Sequence, residues 1–296
     1  MTNCWVIIKL IQHQNWNAIQ AMTLVKNEAS QDTLAGQVIH LRRGVNLQVC
    51  HHPGQSPALV FLHGGMGNRF NLRSQYTFFQ AQGREVLAYD LAGHGQSTPY
   101  QRYSIGRHQR DLKRLLHRFH ITAPVLCCHS YGVPIGLEWA RRHSVSGLVL
   151  IAGGTHDLAP WWEVPLMKFL AWGGRHFYHL PCVQQLTNYL SSPHRHEVME
   201  QFFAECPVPT EPHPYNALEI FWNYNFFRRP SQLNSQIPVL VISGGKDSMF
   251  TYTMGEELAA CFSQSKHLHL PDAGHLMMAE YPDVVNDAIA NLIESI

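Results

Sequence analysis

Cys128-His129-Ser130-Tyr131-Gly132 is the stretch whose reading decides the fold. The apolar run Pro124-Val125-Leu126-Cys127-Cys128 leads into it, and a segment with helical spacing, Val133 to Arg142, follows. A serine on a tight turn between a buried strand and a helix cannot bury its hydroxyl. It stands at the C-terminal edge of a sheet, with the start of the next helix beneath it. Such turns are usually written G-x-S-x-G. Here Cys128 replaces the first glycine. That position lies close to the following helix, where a small residue is wanted, and cysteine is small enough to be accommodated.

The same pattern recurs on both sides. Upstream, Ala58-Leu59-Val60-Phe61-Leu62 runs into His63-Gly64-Gly65-Met66-Gly67, and Val86-Leu87-Ala88-Tyr89 runs into Asp90-Leu91-Ala92-Gly93-His94-Gly95-Gln96-Ser97. Continuous apolar runs bounded by turns suit strands covered on both faces, hence a largely parallel sheet. Before them, Gln37 to Cys50 alternates as a hairpin around Arg42-Arg43-Gly44. Ser104 opens a helix with Leu112, Leu115, Leu116 and Phe119 on one face. Downstream, Leu148–Ile151, Ile237–Ile242 and Lys266–Leu270 read as further strands. A closing helix carries Val284, Val285, Ala288, Ile289, Leu292 and Ile293. Strands alternating with helices predict an α/β fold with a mostly parallel central sheet flanked by helices.

The rhythm breaks between Thr155 and Leu233, a stretch rich in aromatics and interrupted by prolines. It reads as a helical cap inserted over the C-terminal edge of the sheet, where open α/β sheets bind ligands. The expected organisation is an N-terminal extension over 1–35, a core over 36–154 and 234–296, and a cap over 155–233. Residues 1–21 lack the long apolar region of a secretory signal and read as an appendage, with Met22 a possible start.

The 296 residues suffice for one large core, and 45% hydrophobic residues fit a packed globular protein. A net charge of +1 gives no electrostatic case for nucleic acid or acidic membranes as partners. No window is long and apolar enough to predict a transmembrane helix. Seven cysteines without C-x-x-C spacing suggest a reduced, cytoplasmic setting. The sequence carries no indication of oligomeric state.

With these motifs in order, the chain resembles the α/β-hydrolase superfamily, in particular its capped esterase and lipase-like members. The resemblance covers roughly residues 36–296. It rests on His63-Gly64-Gly65-Met66-Gly67, Asp90-x-x-Gly93-x-Gly95-x-Ser97, the Ser130 turn, Gly244-x-x-Asp247 and Pro271-x-x-Gly274-His275. It implies an α/β-hydrolase fold and a triad in the chain order Ser, Asp, His. Ser130 is the expected nucleophile, His275 the general base and Asp247 the acid that orients His275. The expected oxyanion-hole donors are the backbone N–H groups of Tyr131 and, carried over from the position after His-Gly, Gly65. Each such donor is worth about 3–4 kcal/mol in the transition state.

Each of these residues also has a plainer reading. Ser130 can cap the helix that follows it. Asp247 can close an Asx turn. His275 can be a surface histidine, and the glycines at 64–67 can serve a tight turn alone. Asp157 is the alternative orienting acid, whereas Asp272 lies too close in sequence to His275. Asp90 through Ser97 reads as structural, as do His63 and His94, and His129 is expected beneath the turn. The pairs His51-His52 and His194-x-His196 lack companion ligands, so they read as solvent-exposed and no metal site is expected. No cofactor is implied.

The resemblance thus implies a serine hydrolase without metal or organic cofactor. The substrate reading comes from the insertion: most of its aromatics read as its own core, but its charge-poor end, Phe221 to Phe227, predicts a small or medium apolar acyl ester, such as a monoacylglycerol-like lipid. The same triad residues support thioester, lactone or C–C hydrolysis, or acyl transfer. A non-catalytic ligand-binding homologue is the alternative outside enzymes.

Overall fold

A computed structural model describes residues 36–41, 44–153, 163–177, 180–182, 199–207, 209, 211–221, 224 and 236–296. The expected N-terminal extension over 1–35 lies outside the described residues, as does much of the insertion expected over 155–233. The fold is carried by the unit Gln37–Ile296.

Eight strands form one sheet in the order β1-β2-β4-β3-β5-β6-β7-β8. These are β1 (Gln37–His40), β2 (Asn46–His52), β3 (Gln55–Leu62), β4 (Arg84–Tyr89), β5 (Val125–His129), β6 (Gly147–Ile151), β7 (Val239–Gly244) and β8 (Ser265–Leu270). The predicted hairpin is β1 and β2, antiparallel, with Ile39 opposite Leu47. β2 also runs antiparallel to β4, and every pair from β4 onward is parallel. The apolar runs explain this: every residue of β5, β6 and β7 is buried, as strands sandwiched between helices require.

Helices α1 (Arg73–Ala81), α2 (Ile105–Arg118), α3 (Gly132–Ala140), α7 (Tyr252–Ala259), α8 (Met277–Glu280) and α9 (Pro282–Glu294) connect or close the strands. Leu112 and Leu115 of α2, and Val285 and Ile289 of α9, are fully buried, so the 3.6-residue periodicity marks the core faces. Ser104 sits at the N-cap of α2 without a side-chain cap bond.

Between β6 and β7 the chain forms α4 (Glu163–Phe177), α5 (Glu200–Glu205), α6 (His213–Ala217) and a 3-10 turn, Leu218–Phe221. Tyr215 of α6 packs where a side chain on Gly174 of α4 would stand, 2.3 Å from its ideal Cβ position. No helix among the described residues is long and apolar enough to cross a membrane.

Candidate active site

Ser130 follows β5 directly and precedes α3. Its φ is +46°, a left-handed conformation that non-glycine residues rarely adopt. The turn is held by Ser130 N–H donating to the Ile151 carbonyl (2.9 Å) and Val133 N–H donating to the Ser130 carbonyl (3.0 Å). α3 has no side-chain cap, so the hydroxyl is not used to cap the helix. The two small positions of the turn face different obstacles. A Cβ on Gly132 would meet the Leu62 carbonyl oxygen at 2.5 Å, and a backbone atom cannot yield. Cys128 instead faces Gly136 of α3, whose missing side chain leaves room for the sulfur.

His275 and Asp247 meet across the ends of β7 and β8. The His275 ring donates from Nδ1 to Asp247 Oδ2 at 2.8 Å. The other oxygen, Oδ1, accepts the N–H groups of Met249 (2.8 Å) and Phe250 (3.1 Å). One carboxylate oxygen thus closes the Asx turn while the other accepts the His275 ring N–H. Burial alone would raise the Asp247 carboxyl. The His275 ring and the two backbone donors overcome this and hold it below its ordinary value. Gly245 N–H to Leu270 O and Lys246 N–H to Ala273 O, both 2.9 Å, tie the two loops together. Asp272 is exposed and pairs with Lys246 at 3.0 Å. Asp157 lies outside the described residues.

Sequence reasoning missed Glu280. Its buried carboxylate accepts Gly274 N–H at 2.7 Å and so braces the His275 loop from α8. An acid beside Met277 and Met278 on a buried turn was the available signal.

The glycine loop after β3 approaches the turn from the other side. His63 donates from Nδ1 to the Gly64 carbonyl (2.7 Å) and accepts Leu91 N–H at Nε2 (2.9 Å), so its tautomer is set. Burial lowers its pKa to about 4. Met66 carries a φ of +61°, which bends the loop over. Neither Gly65 N–H nor Tyr131 N–H is hydrogen-bonded among the described residues. Tyr131 is anchored by its fully buried ring, whose hydroxyl is 2.8 Å from His108 Nε2.

The insertion reaches this loop. Leu218 Cδ2 lies 3.4 Å from the ideal Cβ position of Gly65, and the Phe221 ring stands edge-on to Tyr131 with centroids 5.5 Å apart. Glu219 accepts Tyr103 N–H. On the other flank, Glu205 pairs with Arg73 and its carbonyl accepts Asn68 Nδ2 at 3.2 Å.

Asp90 is structural, as expected. It binds Arg69 through Nη1 (2.8 Å) and the backbone N–H (2.7 Å), an ion pair the sequence did not reveal. His51 corrects the solvent-exposed expectation. It bonds Glu85 at 2.9 Å and stacks on Phe119 with centroids 4.1 Å apart, because β2 turns its ring toward β4 and the end of α2. His52 is exposed. His194 and His196 lie outside the described residues. Among the described residues no cluster has the makings of a metal site.

A parallel sheet with a serine turn after β5, an acid after β7 and a histidine after β8 is the layout of one superfamily. Residues 57–282 match the alpha/beta hydrolase fold family, and the chain belongs to it. Human Protein ABHD8 is 31% identical over 123 residues, which are 40% of this chain and 28% of that protein's length. The mouse sn-1-specific diacylglycerol lipase ABHD11 is 24% identical over 264 residues, 80% of this chain and 81% of that protein. Among solved structures, an esterase from Exiguobacterium antarcticum superposes with a TM-score of 0.74 at 19% identity, covering 87% of this chain and 99% of that one. That likeness is one of fold.

Proposed function

We propose that the chain is a serine hydrolase that cleaves carboxylic esters of small or medium apolar acyl groups through an acyl-enzyme. The observation that carries the reading is the 2.8 Å bond between His275 Nδ1 and Asp247 Oδ2, on a loop that His129, the residue before Ser130 on its positive-φ turn, meets at 3.1 Å. Asp247 fixes the His275 tautomer and leaves Nε2 free to take a proton. Ser130 Oγ attacks the ester carbonyl as His275 accepts its proton. The tetrahedral oxyanion is held by the N–H groups of Gly65 and Tyr131. The C–O bond to the alcohol breaks, and His275 returns the proton to the departing oxygen. Water then attacks the acyl-enzyme with the same base, releasing the acid and restoring Ser130. The Ser130 hydroxyl makes no hydrogen bond among the described residues, in keeping with catalytic contacts that tighten only when substrate is bound.

The insertion acts in this reading as a cap. Leu218 and Phe221 give the entrance beside Gly65 an apolar lining, which favours an uncharged acyl or alcohol group. A glyceride-like lipid ester is the substrate class to try first, in line with the lipase name of the mouse relative. A cytoplasmic setting belongs to the same reading, on the burial of Cys127 and Cys128 as core residues. The test is turnover of p-nitrophenyl esters of increasing chain length by wild type and Ser130→Ala. Hydrolysis by wild type that Ser130→Ala lacks is the expected result. Equal turnover by both proteins, or by neither, overturns the reading.

A further inference from the structure

His129 ends β5 immediately before Ser130, and it is only 2% exposed. Its Nε2 lies 3.1 Å from the His275 carbonyl oxygen. A carbonyl only accepts, so Nε2 carries the hydrogen and Nδ1 is a bare lone pair. That Nδ1 is buried and has no hydrogen-bond partner. It faces Gly64, where a Cβ would come within 2.5 Å of it. The ring therefore fills a space bounded by the glycine loop, the Ser130 turn and the His275 loop. Burying an imidazole with one unmatched nitrogen costs free energy that an apolar side chain of similar size would avoid. Packing alone does not account for a histidine here, whereas the bond to His275 does.

We propose that His129 is a positioning residue. Its Nε2–H bond to the His275 carbonyl sets the height of the His275 loop relative to Ser130 and the Gly64–Gly65 backbone. The inference rests on the hydrolase reading above. Asp247 orients the His275 ring, while His129 holds the same residue by its backbone, so the base is fixed at two independent points. The charge state suits the task. Burial lowers the His129 pKa to about 3, and the titratable groups that face it are His275, Asp247 and His63. With its ring centroid 5.1 Å from that of His275, a charged His129 would oppose the imidazolium that forms during catalysis.

The test compares His129→Leu, which fills the space without a donor, with His129→Gln, which carries an N–H at nearly the same reach. With a p-nitrophenyl ester, the leucine variant should lose kcat by about 10²-fold with KM changed little, as small misplacements of a catalytic group do. The glutamine variant should regain at least about tenfold of that loss, a rescue that packing alone would not produce. Amide hydrogen exchange in the segment Ala273–Met277 supplies a readout independent of turnover. Exchange should speed up in the leucine variant and return toward wild type in the glutamine variant. If the leucine variant does not fold, glutamine against asparagine, whose shorter side chain cannot reach the carbonyl, makes the same comparison. Unchanged exchange and kcat in the variant without a donor, or equal losses with and without one, overturn the proposal. Wild type that hydrolyses no ester defeats the hydrolase reading instead, and the exchange data still decide the tether.

Discussion

The Cys128 sulfur occupies the space that a side chain on Gly136 would need: an ideal Cβ at 136 falls 2.4 Å from Sγ. The turn before α3 thus keeps close strand–helix packing by moving its small residue from the strand to the helix. Gly132 has no such freedom, because its obstacle is the Leu62 backbone.

This pairing makes Gly136→Ala unfavourable although alanine is the better helix former. Overpacking should outweigh the gain of about 1 kcal/mol in helix propensity and leave a net loss of about 1–2 kcal/mol. Cys128→Gly in the same chain should recover most of it. Thermal melts of the two single variants and the double variant measure the coupling. Additive losses in the double variant would contradict the shared space.

Acid should destabilise the fold through its buried histidines. Burial lowers the pKa of His63 to about 4 and those of His94, His108 and His129 to about 3. Unfolded, each titrates near 6.5. As pH falls below that value the unfolded chain binds protons that the folded chain refuses. Stability is therefore full above about pH 6.5 and declines toward pH 4, by about 1.4 kcal/mol per unit for each histidine. Asp247 acts lower: its pKa is depressed, so its contribution persists above the ordinary carboxylate range and is lost as pH falls through the folded value. Tm measured by circular dichroism from pH 8 to 4 should drop most steeply below pH 6.5. A flat Tm down to pH 4.5 would show that these rings are not held neutral.

Asp247→Asn keeps the shape of the site and removes the charge that fixes the His275 tautomer. A fall in kcat of about 10³–10⁴ is expected, with KM little altered. A loss of less than twofold would pass the orienting role to another acid, Asp157 being the one to substitute next.

Leu218→Ala should open the entrance beside Gly65. The preferred acyl chain in a p-nitrophenyl ester series should lengthen by about two or more carbons, each buried methylene being worth about 0.8 kcal/mol. Leu218→Trp should shorten it. An unchanged chain-length profile in both variants would place the substrate pocket elsewhere.

The sheet was legible because β5, β6 and β7 are continuous apolar runs, a pattern that burial on both faces imposes. The triad candidates were legible because each follows a strand and keeps its motif neighbours. What the sequence hid is long-range and polar. The bond from His129 to His275 spans 146 positions, and the Asp90–Arg69 pair joins a loop to a turn. No local periodicity encodes such contacts. His51 misled for the same reason, since its partners Glu85 and Phe119 come from other elements. Leu218 and Phe221 lay in a stretch where aromatics for the insertion's own core and those for the site carry the same pattern.

Labelling with a fluorophosphonate, followed by mass mapping of the adduct, shows directly whether Ser130 is the nucleophile. One adduct is expected, on Ser130, formed by wild type at neutral pH and absent from Ser130→Ala. Its rate should fall steeply in His275→Ala. Wild type that takes up no label, or an adduct that persists in Ser130→Ala, would contradict that role.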